Sequence, residues 1–84
     1  MDFLRSKEFE KDIKKLDANE KTLLRKMLEK IQFAPDKGKP LRHLGNIFSE
    51  RIGNKRLVYQ ILEKENKIGL LLYKGRDEVY EFLK

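Results

Sequence analysis

The chain has 84 residues with no cysteine and one histidine, and its 20 Lys and Arg outnumber 14 Asp and Glu, giving a net charge of +6. This length predicts a single domain, residues 1–84, and the composition excludes disulfides, thiolate chemistry and a zinc site, which needs three or four nitrogen or sulfur ligands. The basic excess favours phosphate-rich or acidic partners, although the charged fraction of 40% is equally compatible with a well-solvated surface.

The N-terminal half predicts a short extended segment, "DFLRS", and then a helical hairpin from about Ser6 to Ala34. Ser6 can cap the first helix, and Asp17 with Glu20 forms a capping box for the second. Pro35 ends the second helix, because proline lacks the amide proton that a helix needs. The residues that recur at helical spacing and predict the buried stripes are Phe9, Ile13, Leu16, Leu24, Met27, Leu28 and Ile31.

A change of hydrophobic period marks the second half. The segment "PDKGKP" is predicted to be a cationic loop, because Gly38 and Pro40 disfavour regular structure. Three strands follow, "IFSERI", "RLVYQIL" and "KIGLLLY", separated by turns at "GN" and "EKEN". In the middle strand, positions 57, 59 and 61 face one way, and positions 56, 58, 60 and 62 face the other. The last segment, "GRDEVYEFL", is predicted to be a short strand or a helical turn.

These elements predict an α+β domain of order β-α-α-β-β-β, in which a short N-terminal strand and the helical hairpin pack on an antiparallel sheet. The third of the later strands is apolar enough to lie centrally against the helices. No apolar run approaches the ~20 residues that span a bilayer, and the early charges of "MDFLRSKEFEKD" do not fit a signal peptide. We therefore expect a soluble, cytoplasmic protein with no membrane partner.

Conventional catalytic motifs are missing from the sequence. The segment "GNKR" lacks the spacing of a phosphate-binding loop, and the single histidine, His43, is expected to be structural or solvated. Carboxylates lie beside lysines, as in the pairs Glu8/Lys11 and Glu10/Lys14, which predicts helix-surface ion pairs rather than paired-carboxylate catalysis. We expect neither a cofactor nor a metal.

What remains is a set of cations and a phenol. In an antiparallel meander, Arg51 ends one strand and Arg56 begins the next, while Arg76 and Tyr80 follow the third strand. These side chains are predicted to meet on one concave sheet surface. Arginine binds phosphate oxygens bidentately and stacks on bases, and a phenol can donate or accept a proton. Such a site suits a phosphodiester, and the alternative is an incidental basic rim.

The stretch "KPLRHLGNIFSERIGNKRLVYQI", with "GRDEVYEFL" after it, resembles the RelE/ParE superfamily of bacterial and archaeal toxins. In that family a helical hairpin precedes an aromatic residue, a basic strand, a Gly-x-x-Arg-(Leu/Val)-(Val/Ile)-Tyr run, and a terminal arginine followed by Val-Tyr. The resemblance covers nearly the whole chain and its predicted order of elements, and it implies a RelE-like fold.

The resemblance implies a toxin of a type II toxin-antitoxin system. RelE-like members are endoribonucleases that cut mRNA in the ribosomal A site, by attack of the ribose 2′-hydroxyl on the adjacent phosphodiester. A RelB-like antitoxin lays an amphipathic segment over the toxin, and the complex commonly binds its own operator DNA. Two alternatives stay open: a ParE-like inhibitor of DNA gyrase without nuclease activity, and a catalytically weakened toxin that acts mainly with its antitoxin as an operon repressor.

The resemblance also assigns roles to individual residues. Arg56 matches the family arginine before "LVY", Arg76 matches the arginine of the last motif, and Tyr80 lies where RelE-type toxins carry a tyrosine implicated in catalysis. Arg51 lies at the position of a catalytic lysine. The expected catalytic residues are therefore Arg51, Arg56, Arg76 and Tyr80, and the expected RNA-binding residues are Arg42, Lys55 and Lys74.

The general base is not fixed by the resemblance. Ser49 falls where a second basic residue is expected, and the chain lacks the Glu and His that YoeB-type toxins carry. Arginine stays protonated and is a poor base, so Arg51 is expected to neutralise phosphate charge. The proton would then be moved by Tyr80, or by Lys55 or Lys74 with a pKa lowered by neighbouring cations.

Overall fold

The structure, a computed structural model, describes residues 1–41 and 45–83. Within these residues the chain forms five strands and three α-helices. In chain order they are β1 (Asp2–Arg5), α1 (Lys7–Ile13), α2 (Ala18–Phe33), β2 (Lys39–Pro40), β3 (Ile47–Ile52), β4 (Lys55–Leu62), β5 (Lys67–Gly75) and α3 (Arg76–Phe82). None of the helices in these ranges is long and apolar enough to cross a membrane.

The predicted α+β class and order of elements are confirmed, and the strands lie in the order β1-β5-β4-β3-β2. The predicted antiparallel sheet is formed by β2 to β5, and the N-terminal strand β1 joins it in parallel beside β5, which makes the whole sheet mixed. β5 has β4 on one side, and β1 pairs along its other edge. Helix α1 begins directly after β1. The Ser6 amide extends this pairing by donating to the Leu70 carbonyl at 3.0 Å.

Side-chain caps fix where both helices of the hairpin begin, as predicted. Ser6 Oγ accepts from the Phe9 amide at 2.9 Å, and Asp17 accepts from the Glu20 amide at 2.8 Å. The Glu20 carboxylate instead accepts from Lys55 Nζ at 3.2 Å, so only the Asp17 half of the predicted capping box forms. A helix lacking its N-cap oxygen loses about 1 kcal/mol of stability.

Apolar side chains cover both faces of the sheet. The larger cluster lies between the sheet and the α1-α2 hairpin and is centred on Phe9, Ile31 and Tyr59. A smaller cluster on the opposite face joins Val58 of β4 to Val79 of α3. The predicted alternation of β4 is therefore confirmed, with positions 57, 59 and 61 facing the helical hairpin.

A β-bulge interrupts the pairing of β4 with β5. Val58 lies opposite Leu72, whereas the next residue of β4, Tyr59, lies opposite Leu70, so Leu71 is an extra residue on β5. A bulge of this kind shifts the alternation of every following side chain. Leu70 and Tyr73 consequently share the helical face, although they are three residues apart.

The prediction that "PDKGKP" lacks regular structure is wrong. Pro35–Lys37 form a 3₁₀ turn, and β2 follows at the edge of the sheet, where a proline does not interrupt a hydrogen-bond ladder. The Tyr59 hydroxyl donates to the Pro35 carbonyl at 2.8 Å. Burial, together with the charges of Glu50 and Asp36, raises the pKa of Tyr59 to about 12, so the phenol stays protonated and able to donate.

Gly38 is required by this contact, because a Cβ at position 38 would overlap Tyr59 Oη. We predict that Gly38→Ala destabilises the fold by about 1–3 kcal/mol through overpacking, measured by chemical denaturation. Gly69→Ala is the control, since a Cβ there meets its neighbours at ordinary distances of 3.7 to 3.9 Å. Removing the hydroxyl with Tyr59→Phe is expected to reduce the cost of Gly38→Ala. An equal cost in both backgrounds would show that the hydroxyl is not the obstacle.

Candidate functional site

A row of cations runs across the three central strands, on the sheet face opposite the helical hairpin. Arg51 of β3 lies directly opposite Arg56 of β4, and Arg56 lies directly opposite Lys74 of β5. Directly opposed side chains in a sheet lie close enough to interact, and like charges in such pairs are destabilising. The row is therefore not explained by the stability of the sheet.

The turn between β3 and β4 aligns the first two members of this row. Gly53 has a positive φ of 61° and is the first residue of a two-residue turn, as in the type II′ hairpins that favour glycine at this place. Arg51 Nε donates to the Gly53 carbonyl at 3.0 Å, which holds the guanidinium over the turn. The turn thus fixes the position of Arg51 relative to the start of β4.

Helix α3 brings the remaining predicted residues to the same place. A cleft of about 150 Å³ is lined by Arg51, Asn54, Lys55, Arg56 and Arg76. The Arg76 guanidinium carbon lies 5.7 Å from the centroid of the Tyr80 ring, and Tyr80 is 49% exposed. The predicted short strand or helical turn is a helix, so Tyr80 lies one helical turn from Arg76. The structure thus places Arg51, Arg56 and Arg76 around one cleft, with Tyr80 beside Arg76 but outside the cleft lining, and the roles of all four stay predictions.

The arginines of this cleft lack internal counter-charges. Across residues 1–41 and 45–83, none of Arg51, Arg56 and Arg76 takes part in a salt bridge. Guanidinium groups held side by side attract anions, and their fork of donors matches the oxygens of a phosphate. The cleft is thus arranged to bind an anion from outside the chain.

Lys74, at the other end of the row, is neutralised internally. Its Nζ lies 2.7 Å from both Glu8 and Asp12 on α1. Partial burial favours the neutral amine, but the hydrogen bonds and charges of Asp12 and Glu8 outweigh it and raise the pKa of Lys74. The expectation of a lowered pKa at Lys74 is therefore wrong, and its ammonium does not line the arginine cleft.

The other predicted residues have different outcomes. Lys55 lines the cleft, pairs with Glu20 at 3.2 Å and lies 5.4 Å from the Tyr73 ring. Ser49, at the position where a second basic residue is expected, is 2% exposed, and its hydroxyl has no hydrogen-bond partner among residues 1–41 and 45–83. The predictions for Arg42 and His43 concern positions outside the described residues.

A second cleft, of about 460 Å³, lies between α1 and the end of β5 and was not predicted. Its lysines come from α1 and the turn after it (Lys11, Lys14 and Lys15) and from the sheet (Lys55 and Lys74). On α1 the sequence predicts the surface ion pairs Glu8/Lys11 and Glu10/Lys14. Those pairs are replaced by longer-range contacts: Glu8 bonds to Lys74, and Glu10 lies 3.9 Å from Arg5. The described part of the chain contains no group of His, Cys, Asp or Glu side chains that could hold a metal ion.

Comparison with known proteins identifies the fold. No protein-family model matches the chain, and no curated protein matches it. Solved structures do match. The isolated RelE toxin of E. coli superposes with a TM-score of 0.79 at 22% identity, covering 98% of this chain and 93% of the toxin. A toxin-antitoxin complex from Mycobacterium tuberculosis, RelBE2, gives 0.74 at 26% identity over 89% of this chain and 96% of that chain.

A metal-bound toxin from Helicobacter pylori is similar to the same degree, with a TM-score of 0.76 and 27% identity over 94% of this chain and 98% of that one. These matches confirm the resemblance to the RelE-like toxin superfamily: the chain has the RelE fold, with the same succession of strand, helical hairpin and strands.

The arginine cleft predicts a measurable dependence of anion binding on salt. We expect Arg56→Gln to weaken binding of a single-stranded oligodeoxynucleotide and to reduce the slope of log K against log salt concentration by about 0.7, the value for one phosphate contact. Lys30→Gln is the matched control, because it removes the same charge from a lysine that pairs with Glu50. Equal slopes for the two variants would show that Arg56 does not contact phosphate.

Proposed function

We propose that the protein is the toxin of a type II toxin-antitoxin system and cleaves mRNA in the ribosomal A site. The observation that supports this most directly is a cleft lined by three arginines that form no salt bridge within the described residues, with the exposed phenol of Tyr80 beside one of them, Arg76. The RelE fold is consistent with this activity. The proposal places the protein in the cytoplasm, where translating ribosomes are found.

The proposed reaction is an internal phosphoryl transfer. The ribose 2′-hydroxyl loses its proton and attacks the adjacent phosphorus, the bond from phosphorus to the 5′-oxygen breaks, and that oxygen takes up a proton. The products are a 2′,3′-cyclic phosphate and a 5′-hydroxyl. Negative charge increases on the phosphoryl oxygens in the transition state, and preorganised cationic donors stabilise such charge strongly. Arg51, Arg56 and Arg76 would supply this stabilisation.

Proton transfer requires a different group. Arginine guanidinium groups stay protonated in proteins and cannot act as bases. The Lys74 ammonium is held by carboxylates away from the cleft, and the Lys55 ammonium, which lines the cleft, is paired with Glu20. Tyr80 is half-exposed and lies beside Arg76, and a phenol can donate or accept a proton. We therefore assign it the proton transfer to or from the reacting oxygens.

The size of the cleft supports a need for the ribosome. Pockets that enclose small ligands have volumes of about 300–1,000 Å³, and the arginine cleft has about 150 Å³. It can contain a phosphodiester but does not enclose a nucleotide. The RNA must then be held in a reactive geometry by another surface, and fixing that geometry alone can lower a barrier by several kcal/mol.

Tyr80 variants test the proposed chemistry, using primer extension and single-turnover cleavage of A-site mRNA on translating ribosomes. If Tyr80 transfers a proton, Tyr80→Phe and Tyr80→Ala should both lose about 10²–10⁴-fold in rate. If the ring only stacks on a base, Phe should retain activity and Ala should lose about 1–3 kcal/mol of binding. Melting curves identify a loss caused by unfolding. Wild-type cleavage by Tyr80→Phe would exclude the proton-transfer role.

Growth arrest and gyrase inhibition, measured beside mRNA cleavage, distinguish the proposed nuclease from the two alternatives. A chain that arrests growth without cutting mRNA, and inhibits gyrase instead, would be a ParE-like toxin. A chain that does neither would be a weakened toxin that acts with its antitoxin at operator DNA. The buried Ser49, where a second basic residue is expected by resemblance, is the feature that these two alternatives would explain.

We also propose a cognate antitoxin as the direct partner. Several of the similar structures are RelB-RelE complexes, including one from Methanococcus jannaschii at a TM-score of 0.76 and 19% identity. The net charge of +6 favours an acidic partner. An amphipathic helix with acidic and apolar residues would neutralise the arginine cleft and so suppress activity.

The antitoxin proposal predicts that a short acidic protein encoded beside this chain relieves growth arrest when the two are co-expressed. In the purified complex, arginine-selective labelling of Arg51, Arg56 and Arg76 should fall several-fold relative to the free toxin, read by peptide mass spectrometry. Arg25 on α2 serves as an internal reference. Unchanged labelling of the cleft arginines in a complex that suppresses arrest would show that the antitoxin acts elsewhere.

A further inference from the structure

Lys74, near the end of β5, contacts side chains of both α1 and α3. Its Nζ lies 2.7 Å from Glu8 and from Asp12 on α1, and 5.4 Å from the centroid of the Phe82 ring in the last turn of α3. The side chain is only 12% exposed. Asp12 also accepts from the Tyr73 amide at 2.9 Å, so the same carboxylate holds the edge of β5. The two carboxylates that hold Lys74, those of Glu8 and Asp12, form the α1 clamp.

Helix α3 depends on outside contacts for its orientation. It has seven residues, and Gly75 at its N-cap provides no side-chain cap. Isolated helices of this length are not stable in water, so tertiary packing must hold them. Two contacts that serve this purpose are the burial of Val79 on the sheet and the contact of Lys74 with Phe82.

The catalytic candidates Arg76 and Tyr80 lie on this helix. Arg76 follows Lys74 by two residues, so a change in the direction of the strand end at Lys74 moves the guanidinium directly. Breaking one partner of an enclosed ion pair leaves an uncompensated charge, and the surrounding chain then rearranges to reach water. The orientation of α3 is the property that such a rearrangement would change.

We propose that Lys74 is a positioning residue: held by the α1 clamp and in contact with Phe82, it fixes the angle at which α3 presents Arg76 and Tyr80 to the arginine cleft. The catalytic part of this inference rests on the proposed function, whereas the structural part does not. Lys74 does not line the arginine cleft. It acts through the helix that follows it.

The test combines fluorine NMR with cleavage kinetics. The chain has three tyrosines, and after labelling with 3-fluorotyrosine the Tyr80 line is assigned by its loss in Tyr80→Phe. In Lys74→Met we expect the Tyr80 line to move toward the shift of free fluorotyrosine while the line of buried Tyr59 stays in place. In A-site cleavage, kcat should fall by about 10- to 100-fold. KM should change little, because Arg51 and Arg56 still bind the phosphate.

Lys30→Met is the matched control, because it breaks the Lys30–Glu50 ion pair of α2 and β3, away from α3. It should leave the Tyr80 line and kcat unchanged. If Lys74→Met does not fold, Glu8→Gln replaces it: Asp12 then still holds Lys74, and a smaller change in the same direction is expected. Lys74→Arg, which keeps the charge, should restore most of kcat.

The two levels of the proposal fail separately. If the wild-type chain does not cut RNA, the proposed function fails, and the fluorine line alone decides whether Lys74 positions α3. An unchanged Tyr80 line in the folded Lys74 or Glu8 variant overturns the positioning role. A fall in kcat that the Lys30 control shows equally also overturns it, since the loss would then follow stability rather than the angle of α3.

Discussion

The β-bulge at Leu71 determines which side chains of β5 share a face with the arginines of β3 and β4. Without the extra residue, strict alternation from Ile68 and Leu70 would place position 74 on the face that packs against the helical hairpin. With it, Lys74 lies opposite Arg56 and extends the row that begins at Arg51. Bulges re-aim side chains in this way near functional sites. The bulge therefore connects the packing of the core to the charge distribution on the opposite face.

The repulsion within this row is small beside the burial that stabilises the sheet. A like-charged cross-strand pair costs a few tenths of a kcal/mol to about 1 kcal/mol, whereas burying one large apolar side chain contributes about 1.5–3 kcal/mol. Leu57, next to Arg56, and Tyr73, next to Lys74, are almost fully buried on the other face. The chain can thus keep the arginines uncompensated. At Lys74 the carboxylates of α1 remove the repulsion instead. The row therefore has two parts: Arg51 and Arg56 can bind an anion, and Lys74 maintains the structure.

Local signals in the sequence predict most of the helices and strands, but they do not predict contacts between residues that are far apart in the chain. Ser6 and Asp17 predict where both helices begin, because each cap bonds to an amide only three residues further along the chain. The alternation of β4 is predicted by apolar residues at every second position. The parallel pairing of β1 depends on an edge of β5 some 65 residues away in sequence, and β2 depends on its pairing with β3. The cleft was predictable, since Arg51 and Arg56 flank a two-residue turn. The Lys74 contacts were not, because a bulge among consecutive leucines leaves no signature in composition.

The groups required by the proposed reaction lie on two different structural elements, the sheet and α3. Two of its arginines lie on a two-stranded hairpin whose register is fixed by hydrogen bonds, so charge stabilisation is built on a rigid support. The phenol lies on a seven-residue helix that has no side-chain cap of its own. In the proposed reaction, Arg51 and Arg56 would hold the phosphate from the sheet, whereas the position of Arg76 and the proton transfer by Tyr80 would depend on the angle of α3. In a site with no strong base, the rate depends steeply on the distance from the phenol to the reacting oxygen. The contacts that orient α3 thus matter to the proposed chemistry although they lie outside the cleft.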